Sequence, residues 1–306
     1  MADIKRAVAI GFFDGVHIGH AALLEKTKQR AAEYGVKPSV VSFDVHPDNL
    51  VFGGEVKLIS SSAGREEMIK RLFGIEDVVF LHFDRRLMHM PWQDFVDALI
   101  EELGVSWIVA GHDFRFGNMG EGNAEKLGSY CAQLGIGCDI IPPVTLDGRL
   151  VSSTYIRELL ENGDIERANR FLGHAHSLCD TVRSGCHLGS RLGAPTINMR
   201  FPYGVLVPRH GVYATKVCLE NGEEHIAVTN IGLRPTAGGD GTVSVESHLL
   251  DYSGNLYGEH VRVDFYSFIR PEMLFDDLEA LSLRIREDSA IAKEYFKKTN
   301  TDSTSG

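Results

Sequence analysis

Two histidines, His17 and His20, stand three residues apart in the run IGFFDGVHIGH, residues 10 to 20. The run lies between an apolar stretch, Ala7 to Ile10, and the helix-like AALLEKTKQRAAEYG. The order is strand, glycine-bearing turn, helix start, and residues i and i+3 of a helix are neighbours. Backbone N–H groups and the positive dipole end at such a start attract phosphate, and two imidazoles there can donate hydrogen bonds to a phosphate in transfer. The segment is therefore a candidate nucleotide site.

The elements around it read as an α/β domain. Strand-like runs at Ala7 to Phe12, Pro38 to Phe43, Val78 to Phe83, Trp107 to Gly111 and Gly137 to Ile141 alternate with helix-like runs starting near Gly19, Gly64, Trp92 and Gly122. That alternation predicts a parallel sheet, with binding residues at the carboxyl ends of its strands. The first strand runs into Phe13, Asp14 and the histidines; the second into Asp44, His46, Pro47 and Asp48; the fourth into His112, Asp113, Phe114, Arg115, Phe116 and Gly117. Each could be an ordinary polar loop, but three on one rim point to a site.

After VSSTYIRELLENGDIERANRFLGH the texture changes. Ser153 or Thr154 suits the N-cap of a helix ending at Gly163, and a second helix, Ile165 to Leu172, stops at Gly173. Short β-rich runs then recur at Gly211 to Leu219, His225 to Ile231, Thr242 to Leu250 and His260 to Ile269, the pattern of a small antiparallel barrel or sandwich. From Pro271, Leu274, Leu278, Leu281 and Ile285 take helical spacing, and the polar end TNTDSTSG, residues 299–306, reads as disordered. The expected domains are 1–176 and 177–298.

Composition narrows the partners. A net charge of −11 over 306 residues argues against a broad nucleic-acid surface, whereas a small phosphorylated ligand needs only a local positive patch. No stretch approaches the ~20 apolar residues of a membrane span, and MADIKRAVAI lacks the apolar core of a signal peptide. Five cysteines without a CxxC pair read as reduced thiols. The expectation is a cytoplasmic protein, monomeric or weakly homo-oligomeric, bound to neither nucleic acid nor membrane.

In this setting HIGH resembles the signature of the nucleotidylyltransferase superfamily. The blocks GFFDGVHIGH, SFDVHPD, AGHDFRFGNMGEGN and VSSTYIRELLENGDIERANRFLGH together resemble the FMN adenylyltransferase half of prokaryotic bifunctional riboflavin kinase/FAD synthetases. The resemblance implies a Rossmann-like domain in which Gly11, Phe13, Asp14, His17 and His20 hold the ATP phosphates. Ser152, Ser153, Thr154 and Arg157 correspond to its second phosphate-binding segment, and Pro47, Asp48 and Asn123 stand where the flavin is expected. The implied reaction is in-line attack of the FMN phosphate on the α-phosphorus of ATP, with Mg²⁺ and His/Arg donors holding the charge.

The blocks GSRLGAPTINM, HGVYATKV, VTNIGLRPTAGGDGTVSVESHLLD and LYGEHVRVDFYSFIRPEMLFDDLEAL resemble the riboflavin kinase module. By that resemblance Thr196 and Asn198 bind Mg²⁺ and ATP phosphates, and Glu246 is the general base for the ribityl hydroxyl of riboflavin. The chain departs from the pattern at Ser190, where an arginine is common, with Arg191 one place later, and at Ala194 and Ile197. Gly238, Gly239 and Gly241 suit a hairpin turn better than a phosphate loop.

The leading reading is therefore a bifunctional enzyme making FMN and then FAD. Two alternatives stay open at this point. A flavin- or nucleotide-binding regulatory protein without turnover would draw support from the departures in the kinase block. An RNA-handling relative of the HIGH-bearing aminoacyl-tRNA synthetases is opposed by the acidic charge and by SSTYIR in place of a lysine-rich loop.

Overall fold

The computed structural model describes residues 4–183, 196–234 and 242–303. The chain divides into two compact units, Met1–Ser153 and Thr154–Gly306.

The first unit is built on five parallel strands: β1 (Arg6–Ile10), β2 (Lys37–Phe43), β3 (Asp77–Leu81), β4 (Val105–Gly111) and β5 (Gly137–Ile141). Their order is β3-β2-β1-β4-β5. The chain leaves β1 toward one side of the sheet and β4 toward the other, so the crevice beyond their carboxyl ends is the topological switch point where such sheets bind ligands. Both sheet faces are covered. Val8, Ile10, Val41, Ile108 and Ala110 pack on one side and Ala9, Val40 and Val109 on the other, which is why these strands read as nearly continuous apolar runs.

The helices of this unit are α1 (Ile18–Tyr34), α2 (Pro47–Phe52), α3 (Ser62–Phe73), α4 (Arg85–Met88), α5 (Trp92–Leu103) and α6 (Ala124–Leu134). Short α2 and α4 are not visible as periodic patterns. The expected strands also run past their ends: β1 stops at Ile10 and β3 at Leu81, where the chain turns into the rim. Arg30 of α1 lies over the Trp107 ring at 4.7 Å, and both donate to Asp139 of β5, fastening the helix to the sheet. A two-rung hairpin, β6 (Thr145–Leu146) and β7 (Arg149–Leu150), precedes the second unit.

α7 (Ser153–Asn162) and α8 (Ile165–Leu172) fall with the second unit, whereas the sequence reading closed the first domain after them. The cause is visible in their bonds. Asn169 of α8 donates to the Phe265 carbonyl at 2.7 Å and accepts from the His176 amide at 2.7 Å, and the Arg209 amide donates to the Leu160 carbonyl at 3.0 Å.

The second unit is a curled antiparallel sheet of β8 (His176–Thr181), β9 (Thr196–Met199), β10 (Gly211–Leu219), β11 (Glu224–Arg234), β12 (Thr242–Leu249) and β13 (His260–Arg270), in the order β8-β13-β10-β11-β12-β9. A bridge between Arg183 and Asn198, with the Arg183 amide 2.9 Å from the Asn198 carbonyl, joins the two edges as in a small barrel. Buried hydroxyls run through it: Thr215 to Thr229 and Thr229 to Ser247, each 2.7 Å.

The terminal helix α9 spans Leu278–Ser303 and packs Ala292 and Phe296 against the sheet. It starts seven residues later than the spacing from Pro271 suggested, because Asp277 accepts from the Ala280 amide at 2.8 Å and sets the first turn there. Leu274 is fully exposed ahead of it. The helix also occupies residues 299–303 of the end expected to be disordered. Ser190, Arg191, Ala194, Gly238, Gly239 and Gly241 lie outside the described residues; Ile197 is buried in β9.

Candidate functional site

The His17-His20 turn is held in an unusual backbone. Phe13 and Val16, both buried, take positive φ values of 58° and 44°, and a β-branched residue there is a steric outlier. The surroundings impose it. The buried Asp14 carboxylate accepts from the amides of Ile59 and Ser60 at 2.8 and 3.1 Å, Gly15 donates to the Ser60 hydroxyl at 3.1 Å, and Ser153 donates to the Asp14 carbonyl at 2.9 Å. Asp14 and Phe13 thus lie buried beneath the turn, and the Asp14 carboxylate holds its backbone in place.

Nδ1 of His17 caps α1 by accepting the His20 amide at 3.2 Å, so the neutral ring carries its proton on Nε2. The two imidazoles stack at 3.5 Å, nearly parallel at 10°. Burial, then the neighbouring His17 and then the Arg65 cation hold the His20 pKa well below its ordinary value, leaving it neutral at pH 7. Its Nδ1 is enclosed without a hydrogen-bond partner among the described residues.

Arg65 is a supporting residue the sequence reading missed. It is fully buried, donates to the carbonyls of Phe12 and Phe43 and to the hydroxyls of Ser42 and Ser62, and lies over the Phe12 ring at 4.2 Å. It ties the carboxyl ends of β1 and β2 together. Burial pushes its pKa down to about 10, opposed by Asp14 and Asp44, so it stays charged. Its signal in the sequence is a lone arginine on the apolar face of α3, in line with Met68 and Ile69.

Beyond the carboxyl ends of β1 and β4 opens a cavity of about 360 Å³. Gly11, His17, His20, Pro47, Ser152 and Ser153 of the expected residues line it, beside His112 to Arg115. At this wall α1 begins after His17, so its dipole end and backbone donors serve the cavity, beside the hydroxyls of Ser152 and Ser153. Thr154, exposed, and Arg157, half-buried, follow on α7 in the second unit.

A second cavity of about 560 Å³ is mostly apolar, walled by Phe43, Phe83, Phe95, Phe116, Leu87 and Met88. Pro47 and Asp48 line it. Gly117 forms part of its wall with φ 73°, where a Cβ would stand 2.5 Å from Cβ of Trp92. Asn123 lines neither cavity; its Oδ1 accepts the Lys126 amide at 2.9 Å and caps α6.

In the second unit the ladder itself assembles the expected residues. Asn198 of β9 pairs in register with Glu246 of β12, and Thr196 with His248. Glu246 pairs on its other side with Asn230 of β11. Alternation along a strand puts Thr196 and Asn198 on one face, with register partners on that same face. Asn230 and His248 join that face by cross-strand register, which is not written in local sequence.

Fold and sites define a two-unit protein, a Rossmann-like nucleotide-binding unit joined to a barrel with a polar strand face. Residues 1–155 match the family model of FAD synthetase and residues 172–296 that of riboflavin kinase. The bifunctional riboflavin kinase/FMN adenylyltransferase of Listeria monocytogenes is 34% identical, covering 97% of this chain and 94% of its own. That of Pseudomonas fluorescens is 37% identical, covering 93% and 91%. A solved structure described as a macrolide-efflux protein from Streptococcus pneumoniae matches with a TM-score of 0.80 at 26% identity, covering 94% of each chain. The chain belongs to the bifunctional riboflavin kinase/FMN adenylyltransferase family. No helix among its described residues is long and apolar enough to cross a membrane.

Proposed function

We propose that this chain phosphorylates riboflavin to FMN in its barrel unit and adenylylates FMN to FAD in its α/β unit, at the residues described above. The observation that carries the adenylylation reading is the pairing of a helix-start cavity holding two imidazoles with an adjoining apolar, aromatic cavity. The first suits the triphosphate of ATP; the second suits the isoalloxazine ring of FMN. An FMN phosphate oxygen attacks the α-phosphorus, the bond to the β-phosphate breaks, and pyrophosphate leaves. His17 and His20 donate hydrogen bonds to the departing charge, and Ser152 and Ser153 orient the phosphates. Thr154 and Arg157 extend that segment.

For the kinase step, Glu246 takes the proton of the ribityl hydroxyl as that oxygen attacks the γ-phosphorus, releasing ADP. Thr196 and Asn198 fit a magnesium site by their chemistry, since both offer oxygen to a hard cation and share a face with a carboxylate. Mg²⁺ held there would supply charge neutralisation on the ATP phosphates. The free thiols Cys131, Cys138, Cys179 and Cys218 suit the reducing cytoplasm.

A timed chromatographic assay with riboflavin, ATP and Mg²⁺ tests the reading. FMN rises first, then FAD, with one ADP per FMN formed and one pyrophosphate per FAD. Flavin bound without ATP consumption would instead identify a binding protein.

A further inference from the structure

Arg115 lies in the exposed loop after β4. Three residues, Phe43, Pro47 and Arg115, line both cavities of the α/β unit, and Arg115 is the charged one. Among the described residues lining either cavity it is also the one lysine or arginine; the other basic groups are His17, His20 and His112. Two carboxylates stand nearby, each beside a histidine. Asp113 lies 3.9 Å from His112, and Asp48 lies 3.8 Å from His46. No ion pair or hydrogen bond holds the Arg115 guanidinium among the described residues.

We propose that Arg115 binds the phosphate of FMN at the seam between the two cavities and thereby selects FMN over riboflavin for adenylylation. The inference rests on the reading that the apolar cavity takes the flavin ring and the polar one takes ATP. With those ends placed, the attacking phosphate must lie between them, at the residues common to both walls. A guanidinium presents a planar fork of donors and a permanent charge matched to a phosphate dianion. Riboflavin and FMN carry the same ring, so ring contacts cannot tell them apart. The phosphate can, because a site built around a charged donor loses that interaction entirely when the group is missing. Such selection keeps the adenylylation site from filling with a flavin that has no phosphate to transfer onto.

Steady-state FAD formation from added FMN tests this in the full chain, comparing wild type, Arg115→Ala and Arg115→Lys, with riboflavin phosphorylation by the same preparations reporting folding. The ring-binding probe is lumiflavin, which has the flavin ring without a ribityl chain and so cannot be phosphorylated. In Arg115→Ala the KM for FMN rises roughly ten- to a hundred-fold, while the KM for ATP and inhibition by lumiflavin stay within about twofold. Arg115→Lys recovers part of the loss. An unchanged KM for FMN, or a rise confined to ATP, overturns the assignment to Arg115. If Phe83→Ala weakens lumiflavin inhibition in that case, the flavin cavity stands and Arg115 alone was misassigned. If lumiflavin inhibition ignores Phe83→Ala, the cavity reading fails, and the Arg115 proposal is overturned with it.

Discussion

In the α/β unit the polar groups stand on loops that leave β1, β2 and β4 at the switch point, and a second tier of residues holds those loops in place. Asp14 anchors the backbone at Ile59 and Ser60, Arg65 ties the ends of β1 and β2, and Phe13 and Val16 accept left-handed backbone under that constraint. In the barrel, Thr196, Asn198 and Glu246 stand on the strands themselves, aligned by the register of β9 and β12. The first design depends on buried support residues. The second depends on a ladder that also builds the fold. Changes to support residues should therefore damage adenylylation selectively, while the kinase face should respond mainly to changes in its own side chains.

The sharpest break of that contrast is His20→Ala. It removes a donor from the transition-state charge and should lower FAD formation by about a hundred-fold, while riboflavin phosphorylation stays within about twofold. Arg65→Met comes next. It leaves the Phe12 and Phe43 carbonyls without their donor in the interior and should destabilise the α/β unit by about 3 kcal/mol, read as a lower urea midpoint of that unit in a two-step unfolding curve. Gly117→Ala meets Trp92 at a positive φ and should cost about 1–2 kcal/mol, raising the KM for FMN more than that for ATP.

The smallest effect concerns the barrel. Burial holds the His176 pKa at about 3, below its ordinary 6.5, with His174 adding to the shift. The folded state therefore binds fewer protons than the unfolded one between those values. The stability this group contributes is fully present above pH 6.5 and is lost as pH falls toward about 3. His176→Leu should flatten the fall of the barrel's urea midpoint between pH 7 and pH 4.5.

The parallel sheet was legible because its buried strands are apolar runs separated by helical periodicity, and the HIGH turn because strand, glycine and helix start are all local. Gly11, His17, His20, Ser152 and Ser153 do line one cavity. Arg65 was not legible, since its role lies in carbonyls more than twenty residues away in sequence. Asp14 and Asn123 were read as ligand contacts because their types suit it, and each also accepts from backbone amides, Asp14 from Ile59 and Ser60 and Asn123 from Lys126. Asn169 and Arg209 bind α8 and α7 to strands and loops of the second unit, contacts that no local pattern announces. The pairing of Asn198 with Glu246 spans β10 and β11, and no local pattern encodes such a register.

The central claim is that two separate sets of residues carry two successive reactions. The direct measurement assays both steps on two single variants, Glu246→Ala and His20→Ala. The account predicts a crossed result: Glu246→Ala loses FMN formation by about a thousand-fold yet converts added FMN to FAD at the wild-type rate, and His20→Ala does the reverse. Loss of both activities in correctly folded protein of either variant would contradict it.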